Sequence, residues 1–145
     1  MLGCILFTAA IAIAWQRPLN STESRLVGCW YRPALFASRL ITLDANRRYT
    51  IHTGWFDEDH NRFVAKSAVL VGSWSAKEGS LTIEEDRPFL TRIQMRWQRS
   101  AIAATSRLQL TSDHHILLER EDRKDIWTRV PSPPEVIISA DSAEP

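Results

Sequence analysis

Along the middle of this chain, hydrophobic and polar residues alternate with a period of two rather than 3.6. Tyr49, Ile51, Thr53 and Trp55 alternate with Arg48, Thr50, His52 and Gly54, and Leu81 and Ile83 alternate with Thr82 and Glu84. Ile93, Met95 and Trp97 oppose Arg92, Gln94 and Arg96, while Leu108 and Leu110 oppose Arg107 and Gln109. Successive side chains of an extended strand project to opposite faces, so each run has one apolar face and one solvated face. Turn-forming clusters separate the runs: Asp44-Ala45-Asn46, Lys77-Glu78-Gly79-Ser80, Ser112-Asp113-His114 and Asp122-Arg123-Lys124-Asp125. The pattern predicts strands near 24–32, 38–44, 47–56, 66–76, 80–85, 89–98, 105–111, 115–121 and 126–130. The last either continues the eighth or closes the sheet. Ser100–Ala104 is the one stretch that suggests a helical turn. Short strands joined by hairpins form a meander, and a long meander closes into a barrel to remove its edges. The expected fold is therefore all-β, an antiparallel up-and-down barrel of about eight strands.

One pentapeptide is written nearly twice, LVGCW at 26–30 and LVGSW at 70–74. A tandem repeat would match in its flanks, yet CWYRPALFA has no counterpart in SWSAKEGSL. Neither copy holds a nucleophile–base pair, so a shared catalytic element is no better. What remains is packing. Leu, Gly and Trp fall at i, i+2 and i+4, on one face of a strand, where a glycine lets the strand bend and makes room for a nearby indole. Gly28, Trp30, Gly72 and Trp74 are accordingly expected in the barrel interior.

The ends of the chain differ from its middle. Residues 2–15, LGCILFTAAIAIAW, carry no charge, and Ala12-Ile13-Ala14 has the form of a signal-peptidase site. The stretch is shorter than the roughly 17–25 residues that span a bilayer as a helix. Residues 1–14 therefore read as a signal peptide, with an uncleaved membrane anchor or an apolar core segment as alternatives. Cleavage after Ala14 would start the mature chain at Trp15 and leave Cys29 without a disulfide partner, as a small buried hydrophobe. The expected location is periplasmic or secreted, or anchored at a membrane through the N-terminal segment alone. At the other end, PSPPEVIISADSAEP (131–145) reads as a proline-rich acidic tail outside the fold, with a short contact through Val136-Ile137-Ile138. The folded domain spans 22–130.

Composition adds two things. Six tryptophans require burial of large flat side chains, and a net charge of +1 gives nucleic-acid binding no support. The basic residues are 15 Arg against 3 Lys, so stacking and bidentate pairing are to be expected without naming a site. Asp57-Glu58-Asp59-His60 lacks the fixed ligand spacing of a metal site and reads as a solvated loop. Glu84-Glu85-Asp86 reads as a solubilising strand end, and no G-x-S-x-G elbow marks a serine hydrolase. Asn20-Ser21-Thr22 fits a glycosylation sequon. No metal, cofactor or catalytic residue is expected.

Gly28-Cys29-Trp30, followed by antiparallel hairpins, resembles the lipocalin superfamily, whose opening strand carries G-x-W. The chain is similar in particular to small bacterial lipocalin-like domains. The matching elements are Asp44-Ala45-Asn46-Arg47-Arg48-Tyr49, a second G-x-W at Gly72-Ser73-Trp74 leading to Gly79-Ser80-Leu81-Thr82-Ile83, and the late strand Trp127-Thr128-Arg129. The superfamily's second signature, Thr-Asp-Tyr, is absent. The resemblance implies that Trp30 packs at the closed end of the barrel under an arginine of a late strand, Arg129 or else Arg120.

Two functions follow as expectations. One is a non-enzymatic binding barrel that holds a small apolar or aromatic molecule, with Tyr49, Trp55, Trp74 and Trp97 as candidate ligand contacts. The other is an exported interaction protein, an inhibitor or envelope accessory factor, whose barrel is filled by its own side chains and whose loops bind a protein.

Overall fold

Ten strands and one short helix account for the regular structure of residues 17–66, 70–87, 103–121 and 123–139, the residues that the computed structural model describes. In chain order they are α1 (Ser21–Leu26), β1 (Gly28–Arg32), β2 (Ser38–Leu43), β3 (Arg48–Asp57), β4 (Arg62–Ala65) and β5 (Leu70–Lys77). These are followed by β6 (Ser80–Glu85), β7 (Ala103–Leu110), β8 (His115–Arg120), β9 (Arg123–Val130) and β10 (Glu135–Ile138). Eight strands close a ring in the order β1-β2-β3-β5-β6-β7-β8-β9, every pairing antiparallel, with β9 returning to β1. The alternating sequence is thus an all-β, closed antiparallel barrel. The strand predicted at 89–98, the residues 1–14 and Trp97 lie outside the described residues.

The structure departs locally from the periodic pattern. The predicted first strand begins four residues later, because Ser21–Leu26 is helical. Asn20 caps this helix: its Oδ1 accepts from the Glu23 amide at 2.8 Å, while Glu23 Oε2 accepts from the Asn20 amide at 3.0 Å. This reciprocal capping box satisfies the amides that a helix start leaves orphaned. The expected strand 66–76 corresponds to β5, while β4 lies in a stretch, 57–65, where the pattern marks no strand, and the expected helical turn at 100–104 gives way to strand at Ala103 and Ala104. A further departure is β3, which serves two neighbours. Its residues Arg48–Ile51 pair with β5 and its residues Gly54–Asp57 pair with β4. β4 therefore stands outside the ring, and β10 pairs with it in parallel through the Val136-Ile137-Ile138 stretch of the C-terminal segment.

Alternation divides the side chains into two cores. The lumen holds Leu26, Trp30, Ile41, Leu43, Tyr49, Ile51, Trp74, Leu81, Leu108, Ile116 and Trp127. On the other face of the wall, Leu40 packs with Phe63 and Ala65 of β4, flanked by Tyr31, Phe56 and Val130. Cys29, buried with Sγ 3.3 Å from Thr42 Oγ1, is a free thiol.

Candidate functional site

The two ends of the barrel are built differently, and the difference defines the site. At one end α1 lies across the opening. Trp30 is fully buried there and its indole N–H donates to the Leu26 carbonyl at 2.7 Å. The Arg129 guanidinium lies 4.5 Å from the centre of the Trp30 ring, a cation–π distance. Arg129 also donates to the carbonyls of Val27 and Asp113, each at 3.1 Å, and to that of Arg25. One side chain thus ties the end of α1, the β7–β8 hairpin and β9 together over the indole. Gly28 has φ +135, and a Cβ there would stand 3.1 Å from Arg129 Nη1. The stacked arginine is Arg129. Arg120 lies at the opposite end.

Glu23 anchors the same end. Its carboxylate is fully buried and accepts from Arg17 at 3.0 Å, Arg47 at 2.9 Å and the Asn20 amide at 3.0 Å. Burial alone would raise its pKa, but the hydrogen bonds from Arg47 and from the Asn20 and Ala76 amides outweigh it, and the value is lowered.

Trp74, the tryptophan of the second pentapeptide, is also buried, and its indole N–H donates to the Asp44 carbonyl at 3.1 Å. The glycine before it serves a different purpose from Gly28. A Cβ on Gly72 would stand 2.1 Å from the Glu84 carbonyl oxygen and 2.6 Å from the Tyr49 ring. The space it leaves is taken by the neighbouring strand and by Tyr49 rather than by an indole.

Among the described residues the opposite end is open. A cavity of about 330 Å³ enters the lumen there, with Ile41, Ile51, Leu81, Ile83, Leu118 and Trp127 as its apolar walls and Ala104 and Ser106 as small wall positions. Its rim is polar: Arg39, Arg120, Glu121, Arg123 and Asp125. Arg32, buried beneath the rim, donates to Asp125 at 2.7 Å and lies 5.8 Å from the centre of the Trp127 ring. Arg39 has its pKa lowered by loss of hydration and by the nearby positive charges of Arg32 and Arg123, with Asp125 opposing.

Of the four residues taken from the sequence as ligand contacts, Tyr49 and Trp74 are buried in the lumen core and do not line this cavity. Trp55 is 43% exposed, pairs with Val64 where β3 has left the ring, and carries the Lys66 ammonium 4.8 Å from its ring centre. The structure does not bring these three to one place. Among the described residues the cavity-lining aromatic is Trp127. The alternating pattern marks it only as part of a late strand. Its signal is the apolar position between Asp125 and Arg129, but the meaning comes from strand register. Among the described residues no three His, Cys, Asp or Glu side chains cluster as metal ligands. His60 Nδ1 lies 2.9 Å from Asp57 Oδ2 in the exposed β3–β4 turn. No helix among the described residues is long and apolar enough to cross a membrane.

The described residues define a closed antiparallel barrel sealed at one end and open at the other. No protein-family model matches the chain, and no curated protein does. Among solved structures it is similar to an uncharacterized protein from Bacteroides eggerthii, with 12% identity and a TM-score of 0.46 over 72% of this chain and 98% of that one. A likeness of this size carries no argument about function.

Proposed function

We propose that this is an exported, non-enzymatic, lipocalin-like domain that holds a small apolar or aromatic molecule in the open end of its barrel. The observation that carries the reading is the cavity of about 330 Å³ with six apolar walls. That volume is at the lower end of the roughly 300–1,000 Å³ of ligand pockets. At a water molecule's share of ~30 Å³ per heavy atom it accommodates about eleven heavy atoms, so the ligand is small. The uncharged segment 2–15 supports export.

The test is a fluorescence-anisotropy titration with 2-naphthol, a neutral fluorophore matched in size to the cavity. Saturable binding to the wild type is expected, with loss of binding in Ala104→Phe, which fills the wall. No anisotropy change, or equal binding by the filled barrel, contradicts the reading.

A second reading is favoured by one observation. Leu35 and Phe36, in the β1–β2 loop, are 98% and 97% exposed. Two bare apolar tips suit an interaction protein that works through its loops. A flat response to neutral and charged apolar probes alike would favour it.

A further inference from the structure

Four arginines of the described residues gather at the open end. Arg32 stands directly opposite Arg39 across β1 and β2, and Arg120 directly opposite Arg123 across β8 and β9. Alternation from Trp30, Ile41 and Trp127 puts all four on the lumen face, on four adjacent strands. Like charges directly opposite each other in a sheet are destabilising. The available compensation is meagre. Asp125 serves both Arg32, at 2.7 Å, and Arg123, at 3.4 Å, and among the described residues Glu121 is the other carboxylate of the rim. Arg39 and Arg120 form no ion pair with any described residue.

Two buried donors at the same place also lack acceptors. Arg32 and Trp127 are 7% and 6% exposed, and neither Arg32 Nε nor Trp127 Nε1 has a hydrogen-bond partner among the described residues. Leaving a buried donor unmade costs its full desolvation. Both orphans are N–H groups, and Trp127 is itself a cavity wall. A cationic ligand would add to the repulsion, and a purely apolar one would leave the donors as they are. A carboxylate or phosphate satisfies both requirements, because guanidinium forks bind planar or tetrahedral oxyanions with short charge-assisted bonds.

We propose that the ligand is an amphipathic anion, its apolar body in the lumen and its carboxylate or phosphate head among Arg32, Arg39, Arg120, Arg123 and the Trp127 indole N–H. This rests on the lumen-binding reading above and specifies its ligand class. The pKa of Arg39 is lowered in the same setting, first by partial loss of hydration and then by the neighbouring charges of Arg32 and Arg123.

The experiment is displacement of bound 2-naphthol by octanoate, octyl phosphate and 1-octanol at one ionic strength. The anions are expected to compete at least tenfold more tightly than the alcohol, and the better of the two identifies the head group. Arg39→Gln and Arg120→Gln should each reduce that advantage severalfold while leaving 1-octanol unchanged. Thermal melts of the ligand-free variants at or above wild type show that affinity was not lost with the fold, since each removes one of two opposed charges. Equal competition by 1-octanol and both anions overturns the proposal while leaving the lumen reading intact. Failure of 2-naphthol itself to bind overturns the lumen reading and this inference together.

Discussion

Trp30, Trp74 and Trp127 are all buried in one lumen, yet their indole N–H groups differ. The first two donate to the carbonyls of Leu26 and Asp44, and the third has no partner. A sealed, hydrogen-bonded indole packs on all sides, so its deletion leaves a cavity and an unmet carbonyl. Trp30→Ala and Trp74→Ala are each expected to cost about 3–5 kcal/mol in denaturant unfolding. Trp55→Ala, at a 43% exposed position, should cost under about 1 kcal/mol. Gly72→Val should be at least as damaging as the tryptophan losses, because its Cβ meets backbone at 2.1 Å and the β5–β6 pairing must open to admit it. Near wild-type unfolding of Trp30→Ala and Trp74→Ala would contradict this packing.

At the scale of elements, α1 and the β3 fork show what alternation alone makes legible. Runs such as Tyr49 to Trp55 and Leu81 to Ile83 mark strands, because a half-buried strand must repeat every two residues. α1 is too short to repeat, and its signal was the capping pair Asn20 and Glu23, in a stretch that also spells a sequon. Its six residues persist because Glu23 and Leu26 are buried against the barrel, which is tertiary information. The fork of β3 was equally hidden, since one alternating run served two partners. Half-buried His52 and buried Glu23 both contribute to the pH response. His52 has its pKa lowered by burial from the ordinary 6.5, so the unfolded chain takes up a proton that the folded chain refuses. Glu23, lowered from 4.5, repeats this in the acid range. Stability is therefore expected to fall as pH drops through 6.5, then again below 4.5 as Glu23 protonates and releases Arg47. Urea unfolding from pH 8 to 3 checks this, and His52→Leu should remove the upper step alone. Constant stability between pH 7 and 5 in the wild type would contradict the role given to His52.

The whole molecule is a barrel with unlike ends. α1, Trp30 and Arg129 seal one, while paired arginines ring the other above an apolar cavity. The closed barrel was readable from strand number and spacing. The mouth was not, because Arg32, Arg39, Arg120 and Arg123 are scattered through the chain, and register across β2-β1-β9-β8 gathers them. Hydropathy records that an arginine is polar, not that it faces a lumen. The central claim is that the lumen, and not the loop surface, is where a small molecule binds. Its most direct test is the amide and indole proton–nitrogen spectrum of the protein titrated with 2-naphthol. The Trp127 indole signal and the amides of Ile41, Leu81 and Leu118 should move together, because a ring in the cavity shifts the protons around it. The indoles of Trp30 and Trp74, already bonded to Leu26 and Asp44, should stay in place. A stationary Trp127 indole with shifts at Leu35, Phe36 or Trp55 would place binding on the outer surface and contradict the account.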